Sequence, residues 1–397
     1  MKSKTFSAPG VMPTVLVALC FSLCLSFQAS AQELDCLKCH AKLIAEKVKH
    51  AAVDMGCPTC HTGIVANTGK DAKKIPHKKT GTIAKGLSSD QPELCYSCHD
   101  KAMFSKKTVH AAVSMGCTAC HSPHSSKNAK LLKSEPPELC FGCHDKSLFN
   151  QKTVHAALGM GCLTCHNPHS TEKAKLLLSD PPELCYGCHD KAMFSKKVVH
   201  PALDMGCPSC HNPHSSKNPK LLKSEQPVLC YDCHDKGIFT KKTVHAAIDM
   251  GCTGCHSPHS GDNAKLLLSA PPELCFTCHD KAEFSRKNVH LPVAGGLCVA
   301  CHSPHSTDNM ALLLKEPIDV CLGCHGAVEQ KPHVIKGITN SGHPLGKKEK
   351  KDPKRPGKKF YCGSCHNPHS SESMRLFRYP AKSTMGLCIN CHKFGGK

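Results

Sequence analysis

The chain has no tryptophan, and aromatic residues make up only 5% of its 397 positions. A chain of that length would ordinarily fold as two or three globular domains around large apolar cores. This one lacks the aromatic bulk for them, which excludes a conventional multidomain enzyme built on packed side chains alone. Beyond residue 31 there is also no apolar run approaching the roughly 20 residues that a membrane helix needs. An integral membrane segment in the mature chain is therefore excluded. Two residue types are present in great excess instead: 32 cysteines and 30 histidines. Apolar bulk must come from something those residues hold, which points to a bound cofactor.

The first 31 residues read as a secretory leader. Lys2 and Lys4 give a positive start, Val11 to Phe27 is largely apolar, and Ala29-Ser30-Ala31 supplies small residues for cleavage. The rival reading, a membrane anchor, meets a run that is short and broken by Pro13. Cys20 and Cys24 lie inside the leader and are expected to leave with it. Each follows a leucine, which disfavours lipid attachment. The mature chain is expected to be exported to the periplasm, with an outer-membrane-associated or extracellular location as the alternatives.

All thirty remaining cysteines fall in C-x-x-C-H pentapeptides. The pairs are Cys36 and Cys39, Cys57 and Cys60, Cys95 and Cys98, Cys117 and Cys120, Cys140 and Cys143. They continue with Cys162 and Cys165, Cys185 and Cys188, Cys207 and Cys210, Cys230 and Cys233, Cys252 and Cys255. The last are Cys275 and Cys278, Cys298 and Cys301, Cys321 and Cys324, Cys362 and Cys365, Cys388 and Cys391. Thiols at this spacing form thioethers to the two vinyl groups on one haem edge, and the adjacent histidine reaches the iron. A disulfide framework explains the cysteines but not the histidine after every second one. Zinc ribbons do not require that histidine, and thioredoxin-like redox sites use one motif, not an array. Fifteen covalently attached haem c groups are expected.

The proximal iron ligands are then His40, His61, His99, His121, His144, His166, His189, His211, His234, His256, His279, His302, His325, His366 and His392. An equal number of histidines stands outside the motifs: His50, His77, His110, His124, His155, His169, His200, His214, His245, His259, His290, His305, His333, His343 and His369. One spare imidazole per haem predicts bis-histidine coordination throughout. Methionine is the competing distal ligand. Met55, Met115, Met160, Met205 and Met250 each precede a Gly-Cys, but the sixth copy reads Ala294-Gly295-Gly296-Leu297-Cys298 and has none. These methionines are read as packing on porphyrin faces.

The motifs recur with a period of 45 residues, each repeat holding two. The repeats are expected at 32–94, 95–139, 140–184, 185–229, 230–274 and 275–320, with a three-haem terminal repeat at 321–397, all within one domain of residues 32–397. The first repeat departs from the rest: after His61 it reads Thr62-Gly63-Ile64 without the usual Pro-His, and His77 is expected to substitute. Pro-Pro before Glu-Leu-Cys marks a helix start, and Lys101 to His110 is expected to make a few helical turns. Phe104, Phe149, Phe194, Phe239 and Phe284 are expected to pack, as are pairs such as Leu131-Leu132 over haem faces. His124 lies too close to His121 to reach the opposite face of the same haem. It and its counterparts must serve a neighbouring haem, whereas residues like His110, seven before the next cysteine, are candidates for that next haem. The predicted fold is short helices and loops wrapped around a haem chain, an elongated repeat array with little or no sheet.

The alternation of C-x-x-C-H-D-K with G-C-x-x-C-H-x-P-H resembles the doubled C-x-x-C-H family of multihaem cytochromes. It is also similar to the periplasmic decahaem cytochromes that thread outer-membrane porins, although those have fewer repeats. The resemblance covers 36–392 and implies an electron relay across the periplasm or outer envelope. Implied partners are an inner-membrane quinol-oxidising cytochrome and an outer-membrane porin or outer cytochrome. Haem catalysis needs an open coordination position, and there is no C-x-x-C-K of the kind that multihaem nitrite reductases use. The chain is thus expected not to be an enzyme. The alternatives are a cytochrome filament, or a reductase in which His77, His333 or His343 is not a ligand. The formal charge of +20 would be offset by haem propionates, so no nucleic-acid partner is expected, and the basic run Lys347 to Lys359 reads as a solvated loop.

Overall fold

A computed structural model describes residues 34–74, 76–330 and 351–393. The leader with Cys20 and Cys24, and the spare histidines His333 and His343, lie outside the described residues. The chain divides into two compact units, one of Met1–Lys101 with Ala112–Glu135, the other of Ala102–Ala111 with Pro136–Lys397. Both are built from the same small parts: single-turn helices, 3-10 turns and two-stranded ladders of two or three residues.

The repeat that starts at Cys140 illustrates these parts. Pro137 precedes the helix Glu138–Phe141, where its missing N–H costs nothing. Asp145 accepts a bond from the Ser147 N–H and so caps the 3-10 turn Lys146–Phe149. Asp190, Asp235 and Asp280 do the same in later repeats, which accounts for the Asp of C-x-x-C-H-D-K. The following lysine lies over an aromatic ring, Lys146 over Phe141 at 5.4 Å and Lys191 over Tyr186 at 5.4 Å. The longest helix among the described residues, Pro317–His325, has nine residues.

The helical turns expected from Lys101 to His110 are not formed. A single 3-10 turn, Lys101–Phe104, gives way to the strand Thr108–Val109, which pairs antiparallel with Ser170–Thr171. A β-branched pair prefers the pleated backbone, and the partner strand comes from the next repeat. The same exchange recurs as Thr153–Val154 with Ser215–Ser216, Val198–Val199 with Ser260–Gly261, Thr243–Val244 with Ser306–Thr307, and Asn288–Val289 with Ser370–Ser371. In the first compact unit Val48–Lys49 pairs with Ser125–Ser126.

Among the described residues the only buried hydrophobic side chain is Phe377. What is buried is polar, chiefly the Ser or Thr pair after each Pro-His, with Ser170, Ser215 and Ser370 wholly enclosed. Burying a hydroxyl is tolerated only when it is fully bonded. Ser215 Oγ accepts from the Gln151 N–H at 3.2 Å and donates to the Leu148 carbonyl at 2.8 Å. Ser260 does the same with Lys196 and Met193, Ser306 with Lys241 and Ile238, and Ser370 with Arg286 and Glu283. Each serine staples its repeat to the preceding one. The polypeptide contributes a polar seam rather than an apolar core.

Candidate haem sites

Each motif is wound into one turn that puts its three functional side chains on one side. The His144 N–H donates to the Cys140 carbonyl at 2.9 Å, and His166 to Cys162 at 3.1 Å. Positions i, i+3 and i+4 share a face in such a turn. None of the thirty cysteines is in a disulfide. The first cysteines of the two motifs in one repeat are neighbours: Cys95 with Cys117, Cys185 with Cys207, Cys230 with Cys252. Burial and that neighbour push the Cys95, Cys185 and Cys230 thiols up to about 11. Two attachment sites therefore stand edge to edge in each repeat.

The histidines meet in pairs, and the pairing crosses repeats. Motif histidines His99, His144, His189, His234, His279 and His325 face His50, His110, His155, His200, His245 and His290, with ring centres 5.9–6.1 Å apart. The second-motif histidines His61, His166, His211, His256 and His302 face His124, His214, His259, His305 and His369 at 5.9–6.1 Å. His40 faces His77 at 5.9 Å. Adjacent repeats thus exchange histidines reciprocally: His155 goes forward to His189, and His214 comes back to His166. His110, a candidate for the motif that follows it, faces His144 of the next repeat. The cause is the strand preceding it, whose ladder continues as a bond from the His110 N–H to the His169 carbonyl at 2.8 Å and carries the ring away from its own repeat.

The spacing tests the fit of a haem. Ordinary aromatic pairs spread over about 4.5–7 Å, whereas these hold one value. A first-row metal binds an imidazole nitrogen at about 2.0–2.1 Å. Adding the ring radius, about 1.1 Å, on both sides puts the centres of two trans imidazoles at about 6.3 Å. The observed pairs fit an iron between them.

Backbone carbonyls orient the rings. Nδ1 of His50, His110, His155, His245 and His290 donates at 2.9–3.0 Å to the carbonyls of Pro123, Pro168, Pro213, Pro304 and Pro368, the prolines of the x-Pro-His segments. Nδ1 of His121, His166, His211, His256, His302 and His366 donates at 2.8–3.0 Å to Lys130, Lys175, Lys220, Lys265, Ala311 and Arg375. These acceptors adopt the left-handed backbone, φ 52–56°, unusual for residues other than glycine. A bonded Nδ1 leaves Nε2 bare for a metal. Burial, and then the facing histidine, lowers the pKa of His124, His214, His259, His305 and His369. That favours the neutral form a ligand must have.

Phe149, Phe194, Phe239 and Phe284 lie 4.7–4.9 Å from His214, His259, His305 and His369, and Phe104 lies 4.9 Å from His169. Met55, Met115, Met160, Met205 and Met250 are exposed. No helix among the described residues is long and apolar enough to cross a membrane. Sequence reasoning missed the serine staples and the left-handed residues whose carbonyls accept from the motif histidines. The serine that follows each C-H-x-Pro-His was the only signal for the first, and nothing in residue type marks the second.

A family model described as the doubled CXXCH motif matches the chain at residues 50–104, 110–148, 155–194, 200–238, 245–284, 290–330 and 355–396. No curated protein matches it. Seven matched segments cover well over half of the chain, so it belongs to the doubled CXXCH motif family and is a multihaem c-type cytochrome of electron transfer.

Proposed function

We propose that the chain carries fifteen haem c groups, one per C-x-x-C-H, and conducts electrons along them without catalysing a reaction of its own. The observation that carries this reading is the uniform spacing of histidine pairs, 5.9–6.1 Å, across both motif types. Each bound haem would supply a one-electron ferric/ferrous couple. The thirty cysteines hold the haem edges, the motif histidines take one axial position and the spare histidines the other. His366 and His392 complete the balance with His333 and His343. With both axial positions filled, no iron is left open to substrate.

The working unit is the two-haem repeat of about 45 residues, because a regular repeat presents two edge-to-edge attachment sites and lends one histidine forward and one back. The leader at 1–31 directs export, and the conduit serves respiration across the periplasm or outer envelope. Redox proteins on either side are its partners: an inner-membrane quinol-oxidising cytochrome, and an outer-membrane porin or outer cytochrome.

The test is intact-mass analysis of the mature protein made in a host competent for cytochrome c maturation, together with carbon monoxide binding to the reduced form. Fifteen haem increments and no carbon monoxide uptake are expected. Fewer increments would refute the count, and one bound equivalent would identify an open iron and revive a reductase.

A further inference from the structure

Away from the histidine pairs, one charged cluster in the second compact unit is sheltered from water. The segment from Lys351 to Lys359, expected as a plain solvated loop, is closed by a bridge between those two lysines and anchored by buried Asp352. The Asp352 carboxylate accepts from Arg355 Nε at 2.6 Å, and its side chain is only 2% exposed. Arg355 Nη2 donates to Ser364 Oγ at 3.0 Å, and its guanidinium lies 5.2 Å over the Tyr361 ring. Arg378 Nε donates to the Gly363 carbonyl at 2.7 Å and Nη2 to the His366 carbonyl at 3.3 Å. Both guanidiniums are therefore fastened to the peptide that carries Cys362, Cys365 and His366.

Among the described residues no other repeat has this arrangement. The Arg378 N–H donates to the Cys365 carbonyl, a bond made elsewhere by Lys133, Leu178, Lys223, Leu268 and Leu314 to the equivalent cysteines. Those five side chains are exposed, whereas Arg378 is half-buried. Two guanidiniums against one carboxylate leave one net positive charge beside this motif. Arg378 is half-buried and the Asp352 side chain is enclosed, so water screens this cluster less than it screens an exposed charge.

A fixed positive charge favours the ferrous over the ferric state, because reduction removes one positive charge from the iron, and weak screening enlarges the effect. Pairing of a propionate with Arg378 acts in the same direction by cancelling a negative charge. We infer that the Asp352–Arg355–Arg378 cluster gives the haem site of Cys362, Cys365 and His366 the highest reduction potential in the chain, making the terminal repeat the place where electrons collect. This rests on the haem-chain reading above.

The experiment is optical redox titration of the mature holoprotein and of Arg378→Leu, Arg378→Lys and Asp352→Asn, with haem number checked by mass in each. In Arg378→Leu, one component at the most positive end should lose about tenfold in its reduction equilibrium, which is 59 mV for one electron. Arg378→Lys should keep most of that, and Asp352→Asn should move the same component the opposite way. Opposite signs cannot both come from a loosened fold, and either variant alone decides the matter if the other fails to mature. Curves that overlay the parent, or a change at the negative end, would overturn the inference. A haem number below fifteen in the parent would instead strike the underlying reading.

Discussion

The first repeat and the regular repeats solve one ligand problem by different means. In the regular array each motif histidine is completed from a neighbouring repeat, His166 by His214 and His189 by His155. At the haem site of Cys36 the facing histidine comes instead from within the same repeat. There the chain folds back locally, pairing Ile64–Ala66 with His77–Lys79, and sets His77 5.9 Å from His40. The Nδ1 acceptor survives too. His61 donates to the Lys85 carbonyl at 2.9 Å across 24 residues, where regular repeats span nine. The demands of the metal are kept while the sequence that meets them is replaced.

Deleting a ligand on each side of this comparison should give the largest effects. His214→Ala removes the histidine proposed as second ligand beside His166 and one of the two histidine pairs between adjacent repeats. His77→Ala removes a ligand held by a local hairpin. Each should create one open iron, read as one equivalent of carbon monoxide per reduced molecule. Their stabilities should diverge. A four-ligand structural metal contributes about 10–16 kcal/mol, so one ligand is worth on the order of 3 kcal/mol. In His214→Ala that loss falls on a junction between repeats and should bring protease cleavage within the array. In His77→Ala cleavage should stay confined to the hairpin, and equal cleavage patterns would argue against the reciprocal exchange.

The serine staples come next. Ser215→Ala removes a wholly enclosed hydroxyl and leaves the Gln151 N–H and the Leu148 carbonyl without that partner, at a cost of about 1–3 kcal/mol. In the first repeat Thr80 Oγ1 donates to the Gly63 carbonyl at 3.2 Å from an exposed position, and water can replace it. Thr80→Val should cost under about 0.5 kcal/mol. Urea midpoints of the two variants measure the contrast, and similar shifts would show that the buried serines carry no special load.

The sequence revealed the ligand roster but not the partnerships. Counting His50 to His369 against the motifs needs only chemistry. Knowing that His110 reaches His144 needs the ladder formed by Thr108–Val109, a two-residue strand whose partner lies 61–63 positions away. Lys101 to His110 looked helical because nothing local forbids it, and tertiary pairing overrode that propensity. Ser170 and its counterparts escaped notice because serine is ordinarily a surface residue, and only the absence of an apolar core turns it into the seam. The Asp352–Arg355 pair was hidden inside a run of lysines.

The smallest effects test the left-handed carbonyls. Lys175 has φ 55° and Leu176 has φ 58°, and the Lys175 carbonyl holds His166 Nδ1 at 3.0 Å. In the first repeat the second of these positions is Gly86, where an added Cβ would meet the Ile64 side chain at 2.6 Å. Glycine is thus required at Gly86 by the hairpin, while Leu176 and its counterparts bear the strained backbone. Lys175→Gly relieves about 1–2 kcal/mol of strain and costs about 0.5–1 kcal/mol in the unfolded chain. The net should lie between zero and about 1.5 kcal/mol on the stabilising side, with the haem spectrum unchanged, because the acceptor is backbone. Lys175→Val, β-branched in a left-handed position, should destabilise by at least about 1 kcal/mol. Thermal melts of the pair decide between backbone and side chain: a marked loss in Lys175→Gly would mean that the lysine chain, rather than its carbonyl, supports the His166 site.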